Sequence, residues 1–340
     1  MTRPMQLACS WTLIGILGFL GACSGLPENE IVARDEFLRR ATQYYDVGRY
    51  VQAEQQGRQG LILDPEHATL NHLTGRAILM QAALPKIVEA RPFLEKAYEN
   101  MEVDEHKAAY SLAEYHLVYG RLVLEHVGRE RRSLEQNPNP DAIARIDIGK
   151  QLDEREQRAR EHFVTAEEYS LEALRAAPDS LQYLENKGQI AALLGKDGEA
   201  FEALGRVLEL LTESRAFLNR TLGFRTDLPV GEEERLRRRL LSDIQREVAV
   251  RGVLAGLYKR QGRLPEEERE YTRMLELDER ISGLYYSRGM VRYELGRIPE
   301  AAADMREFLM RTTLEAGAEQ VAQAVDVLKE LERLQPTRPL

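Results

Sequence analysis

Two stretches near the C-terminal end carry the reading of the fold: YKRQGRLPEEEREYTRMLELD, Tyr258 to Asp278, and RYELGRIPEAAADMREFLMR, Arg292 to Arg311. Their glycines, Gly262 and Gly296, stand 34 residues apart in the same frame. In each, a helical pattern runs up to the glycine, a basic and a large apolar residue follow, and a second helical pattern begins. A third copy of the plan lies near the other end, YYDVGRYVQAEQQGRQGLILDP, Tyr44 to Pro65. Self-similarity at a fixed period marks a repeat architecture, in which each unit buries its apolar face against the next. A Pro after the second helix stops it, because it has no amide proton and cannot continue the ladder. The expectation is an all-α chain of antiparallel helix pairs.

These residues resemble the tetratricopeptide repeat (TPR) family. In the first repeat Phe37, Ala41, Tyr44, Gly48, Tyr50, Ala53 and Pro65 fall on family positions, with Gly57 and Gly60 at small or packing positions of the second helix. The second repeat has Gly75, then Ala90, Leu94 and Ala97, with three more residues between Gly75 and Ala90 than the pattern has. A middle repeat keeps Ala166, Ala173 and Pro178, and the next has Leu184, Gly188, Gly195 and Ala200. The penultimate has Ala255, Tyr258, Gly262, Leu264 and Leu275; the last has Tyr285, Gly289, Gly296, Ile298 and Ala301. The resemblance implies a TPR-like α-solenoid, a right-handed superhelix of about six helical hairpins.

Two stretches break the period. His106 to Arg132 reads as one long helix, Asn137-Pro138-Asn139-Pro140 is a strong breaker, and Asp141 opens a second long helical pattern through Ala177. Together they predict an extended helical hairpin inserted in the array, with a densely charged tip at Arg129–Arg132 and Asp153–Glu161 read as a solvated surface with intrahelical ion pairs. A second insertion, near 215–239, holds a loop and a mixed-charge helix start. The expected organisation is N-terminal repeats over 34–105, the long hairpin and a degenerate repeat over 106–177, C-terminal repeats over 178–313, and a capping helix and tail over 314–340.

The first residues differ from the rest. Met1 to Gln6 carries Arg3 and no acid, Ala8 to Leu20 is a 13-residue run without a charge, and Leu20-Gly21-Ala22-Cys23 follows. That is the pattern of a secretory signal, and the run is shorter than the about 20 apolar residues of a spanning helix. Leu, two small residues and Cys resemble a bacterial lipobox. The resemblance implies a signal peptide over 1–22, lipid on the Cys23 thiol, a tether over 23–33, and, with Ser24 next, a protein held at the outer membrane and facing the periplasm. A plain secretory signal with a chance cysteine and an uncleaved anchor are the other readings of the same residues.

Composition narrows the functions. The chain has 340 residues, 43% hydrophobic and 30% charged, with net charge −9. An acidic balance argues against general nucleic-acid binding, which needs clustered positive potential. Two cysteines exclude a disulfide scaffold or a multi-cysteine metal cluster. No phosphate-binding loop, dinucleotide fingerprint, nucleophile elbow or H-E-x-x-H occurs. His116 and His126, with Glu114 and Glu125 nearby, share a helix face and form a conceivable metal pair, against a reading as exposed or packing histidines. Glu232–Glu234 and Glu266–Glu268 read as solvated helix starts at the positive end of the dipole. The expectation is a non-enzyme without cofactor, metal or small-molecule substrate.

In TPR proteins the working surface is a concave groove lined by the first helix of each pair. Matching frames gives Leu38, Thr42 and Tyr45, then His72, Arg76 and Leu79, then Lys259 and Arg260, then Tyr286, Met290 and Tyr293. This mixture suits an extended peptide or a partner helix. The family's clamp for a terminal carboxylate uses Lys and Asn where this chain has Leu38 and Thr42. The resemblance thus implies an envelope scaffold serving outer-membrane barrel assembly, a pilus, secretion or exopolysaccharide export. The alternatives are an adaptor of peptidoglycan hydrolases or synthases, a metal-dependent enzyme at His116 and His126, and a cytoplasmic co-chaperone with a misread N-terminus.

Overall fold

The computed structural model describes residues 26–81, 84–101, 104–136, 142–224, 229, 231–315 and 317–334. Cys23 and the lipobox lie outside them. Among the described residues the chain is helical throughout, with no strand.

Six helix pairs follow one another. They are α1 (Glu28–Asp46) with α2 (Tyr50–Leu63), and α3 (Ala68–Leu79) with α5 (Ala90–Asn100) around the single turn α4 (Leu84–Ile87). Then come α6 (Glu105–Gln136) with α7 (Ala142–Ala176), and α8 (Leu181–Leu194) with α9 (Asp197–Phe224). Last are α10 (Glu232–Arg260) with α11 (Leu264–Leu277), and α12 (Ser282–Glu294) with α13 (Ile298–Arg311), closed by α14 (Glu319–Leu334). The extra residues between Gly75 and Ala90 fall around α4. The long hairpin is the third pair with both arms lengthened, and the 215–239 insertion lengthens α9 and α10 in the same way.

The turns follow from backbone chemistry. Gly262 and Gly296 adopt φ of 67° and 72°, a left-handed conformation that costs a residue with a Cβ about 1–2 kcal/mol. Each turn is closed by a bond from the residue after the glycine: Arg263 N donates to Tyr258 O at 2.9 Å and Arg297 N to Arg292 O at 2.8 Å. These bonds satisfy carbonyls that the helix end leaves open. The next helix starts with Pro265 or Pro299 in its first turn, where a missing amide proton costs nothing.

Packing is serial. Each pair is held internally, and each second helix leans on the first helix of the next pair. Beyond that, α1 approaches α3, α3 approaches α6, α6 approaches α8, and α8 approaches α10. No comparable approach links successive second helices among the described residues. First helices therefore crowd one side and second helices splay on the other, so the array is concave along its row of first helices.

The core is a string of local clusters between neighbouring pairs. One joins Leu184, Leu204, Leu211 and Leu254; another joins Ile78, Leu94, Leu112 and Tyr115. Each fully buried Leu or Phe contributes about 1.5–3 kcal/mol. Close crossings use glycine. A Cβ on Gly75 would stand 2.6 Å from Leu94 Cδ2, and one on Gly188 2.5 Å from Leu204 Cδ2. The distal half of the long hairpin has its own cluster of Val123, Val127, Leu152 and Ala159. Its charged tip holds the expected intrahelical pairs, Arg160 with Glu156 at 3.1 Å and Arg129 with Glu125 at 3.6 Å, and adds pairs across the hairpin. Arg131 reaches across to Asp153 and Glu156 at 2.6 and 3.0 Å, and Arg155 reaches back to Glu130 at 2.7 Å, so the ions tie one arm to the other.

Candidate partner-binding groove

At the N-terminal end the concave row brings three predicted residues together. Tyr45 of α1 accepts a hydrogen bond from Arg76 Nε of α3 at 3.2 Å. Arg76 also pairs with Glu114 of α6 and lies 5.6 Å from the centre of the Tyr110 ring. Burial opposes its charge, but Glu114 and Tyr45 outweigh that and hold the guanidinium above its ordinary pKa. His72 Nε2 is 2.8 Å from Ser111 Oγ. The Ser111 hydroxyl donates to Lys107 O, so neutral His72 is the donor to Ser111. Burial, with the Arg76 charge beside it, pushes His72 down to about 4. Leu79 is buried in the core rather than lining the groove. Thr42 is exposed and donates to Leu38 O at 2.9 Å, and Leu38 is half-buried.

At the other end Lys259, Tyr286 and Met290 border one chamber of about 360 Å³, shared with Glu267, Glu294 and Gln323. Here α14 lies over the end of the row, so Tyr286, Met290 and Tyr293 are partly covered instead of lining an open groove. Tyr286 donates to Gln323 Oε1 at 2.5 Å, and Met290 and Tyr293 pack on the cluster of Phe308, Val321, Ala324 and Val327. An amphipathic last helix is needed there because the final pair has no successor to bury its apolar side. Arg260 is not a groove residue. It donates to Ala192 O at 2.9 Å and Asp197 Oδ1 at 2.8 Å, fastening α10 to the turn between α8 and α9.

Two acidic runs behave differently from one another. Glu232, Glu233 and Glu234 pair along their own helix with Arg235, Arg237 and Arg238, as solvated helix starts do. Glu267 and Glu268 are instead buried, 1% and 6% exposed. Glu268 is held by Arg292 at 2.8 Å and Arg297 at 2.6 Å. The sequence signal for this was the run of arginines on α12 and its turn, whose charges need partners on α11.

The histidine pair is also different from the expected one. His116 Nδ1 meets His162 Nδ1 of α7 at 2.7 Å, while His126 turns to Glu130 at 2.8 Å on the surface. Glu114 is engaged by Arg76. Burial, with His162 alongside, pushes His116 down to about 3. At 2.7 Å one ring nitrogen donates to the other, so a single proton serves the contact. Among the described residues no group of three His, Cys, Asp or Glu side chains is placed to hold a metal ion.

The serial pairs, the glycine turns and the crowded row of first helices decide the architecture. The chain is a TPR-like α-solenoid. No family model and no curated protein sequence matches it. Among solved structures, the solenoid is similar to a chain of the APC/C hetero-tetramer Cut9-Hcn1, at 10% identity and TM-score 0.48, over 89% of this chain and 46% of that one. It is also similar to a tetratricopeptide repeat protein from Parabacteroides merdae, at 15% identity and TM-score 0.35, over 88% and 99% of the two chains. A third is Acl4, the assembly chaperone of RpL4, at 17% identity and TM-score 0.35, over 79% and 99%. The solenoid thus spans about half the length of the first of these and nearly all of the other two. No helix among the described residues is long and apolar enough to cross a membrane.

Proposed function

We propose that this chain is a lipid-anchored scaffold of the bacterial envelope that holds a segment of a partner protein in its concave groove. The observation that carries the groove reading is the crowding of α1, α3, α6, α8 and α10 on one side, which leaves an extended surface bearing Tyr45, His72, Arg76 and Lys259. Such a surface matches the length of an extended peptide or an amphipathic helix, and its mixed aromatic and charged character supplies both contact area and orientation. The anchor rests on Leu20-Gly21-Ala22-Cys23 behind an uncharged run. Several buried acyl chains would hold the protein at the bilayer at about 0.8 kcal/mol per CH₂. With Ser24 after the cysteine, the destination is the outer membrane. The partner belongs to a barrel-assembly, pilus, secretion or export machine.

The test is photo-crosslinking in intact cells from two sets of positions. Thr42 and Lys259 probe the groove, and Arg91 and Arg158 probe the outer side. Reproducible crosslinks to one envelope protein from the groove set, lost or rerouted in Cys23→Ser, are the expected result. Equal labelling from both sets, or none from the groove, overturns the scaffold reading.

A further inference from the structure

The ionic chain that joins α11, α12 and α13 holds more cations than anions. Asp304 receives Arg288 at 2.7 Å and Arg292 at 2.9 Å. Glu268 receives Arg292 at 2.8 Å and Arg297 at 2.6 Å, one on each oxygen. Three guanidinium groups thus share two carboxylates, and one positive charge is left over. Both carboxylates are buried, and the Arg288 and Arg292 side chains are only 14% and 18% exposed. A charge drawn out of water favours a counter-ion, and here the protein supplies one too few.

That chain ends at a cavity of about 440 Å³, bordered by Arg292 and Arg297 and by Arg269, Thr272 and Arg273 of α11. Arg269 lacks a close counter-ion. Glu266 stands 3.7 Å from it and is held by Arg263 at 2.7 Å. Arg273 pairs with Glu276 at 2.6 Å. Four arginines therefore border the cavity with two carboxylates, Glu268 and Glu276, both already engaged, in a chain whose net charge is −9. A guanidinium has five N–H donors. Arg292 commits two and Arg297 one to the buried acids. The Thr272 hydroxyl accepts from Arg288 at 3.5 Å and keeps its own proton to give. A cation is repelled here. A carboxylate brings one charge and two oxygens, whereas a phosphomonoester brings up to two charges and three strong acceptor oxygens, which match both the excess and the forked donors.

We propose that this cavity, between α11 and the turn that joins α12 to α13, binds a phosphomonoester group. Arg292 and Arg297, fixed by Glu268, form one wall. Arg269 and Arg273, whose head groups are exposed, swing onto the anion from α11, and Thr272 donates its hydroxyl. None of the predicted groove residues borders the cavity, so the site stands independently of the peptide-binding reading. Its ligand chemistry is shared by a soluble phosphomonoester and by a lipid head group that ends in one.

The test is calorimetric titration of the full chain in detergent with glycerol 3-phosphate, at constant ionic strength set by chloride. Saturable binding is expected, about tenfold weaker in the double variant Arg269→Gln, Arg273→Gln. Dimethyl phosphate, with a single charge, should bind less tightly than glycerol 3-phosphate. The double variant Arg280→Gln, Arg306→Gln removes the same charge from exposed positions outside the cavity and should bind as the parent does. Circular dichroism checks folding; if the cavity double variant is unfolded, Arg269→Gln alone, which gives up only a 3.7 Å pair, must weaken binding in its place. Dihexanoyl phosphatidic acid separates the two sources. An affinity equal to that of glycerol 3-phosphate assigns the site to a soluble ligand, and a tighter one that the cavity variant removes assigns it to a lipid head group. Absence of saturable binding at millimolar concentration, or binding that the two double variants weaken equally or not at all, overturns the site and leaves the groove reading untouched.

Discussion

The ring of Phe163 on α7 lies 2.5 Å from the point where a Cβ on Gly120 of α6 would stand. The long hairpin is thus packed midway along its length by the same device that Gly75 and Gly188 provide in their own pairs, a missing side chain that lets a large one cross. Phe163 is fully buried and has no room to withdraw.

Gly120→Ala sets two effects against each other. Alanine gains about 1 kcal/mol of helix propensity, but overpacking costs about 1–3 kcal/mol, and here the obstacle includes the Ala159 carbonyl at 3.1 Å as well as the ring. The expected result is a net loss in urea denaturation. Gly205→Ala in α9, where a Cβ meets nothing within 4 Å, is the matched control and should gain up to about 1 kcal/mol. If both variants shifted the midpoint the same way, the crossing argument would fail.

Asp304 is buried between two arginines, with Arg288 at 2.7 Å and Arg292 at 2.9 Å. Arg292 continues to Glu268, so α11, α12 and α13 share one ionic chain. Asp304→Ala leaves cations without their partner in a part-buried site, at an expected cost of about 3–5 kcal/mol. The exposed Arg91–Glu95 pair contributes little, and Glu95→Ala should change stability by less than about 1 kcal/mol. Chemical denaturation of both variants measures the contrast.

His72 makes stability depend on pH with a definite sign. Its pKa falls from 6.5 in the unfolded chain to about 4 in the fold, so between those values the unfolded state binds a proton that the folded state refuses. Stability is therefore complete above pH 6.5 and declines as pH falls toward 4, by about 3 kcal/mol in all from this residue. His116, pushed lower still, adds to the same slope. Urea midpoints between about pH 7 and about pH 5 should fall with pH, less steeply in His72→Asn. An unchanged slope in that variant would show that His72 is not held neutral.

Cys23→Ser should abolish metabolic lipid labelling and release the protein from the membrane fraction. Because Trp11 is the single tryptophan and precedes Cys23, the processed protein should also lack tryptophan emission. Persistent labelling of the serine variant, or tryptophan fluorescence from the membrane-bound form, would remove the anchor from the proposal.

Much of the architecture was legible residue by residue. The frames around Gly48, Gly262 and Gly296 announced their turns because a left-handed glycine and the helix it ends are settled within a few neighbours. The two long arms of the hairpin were legible from unbroken helical pattern on either side of Asn137–Pro140, and they run Glu105–Gln136 and Ala142–Ala176. Gly75, Leu94 and Gly188 stood on family positions in the sequence, but that Leu94 crosses Gly75 and Leu204 crosses Gly188 was set by the packing of the pairs. Gly120 carried no such frame, so its crossing with Phe163 was not foreseen.

Side-chain partnerships were decided elsewhere. Arg260 and Lys259 are adjacent in sequence, yet one reaches back to Ala192 and the other borders the chamber. His116 found its partner 46 residues away on α7 rather than on its own helix, and Glu267 went inside while Glu266 stayed out with Arg263. A helix's start, stop and apolar stripe depend on backbone geometry and on neighbours three or four positions away. Which charged group faces which depends on where separate helices cross and how far each is rotated, quantities set by the fit of Leu94, Phe163, Leu204 and their counterparts across the whole stack.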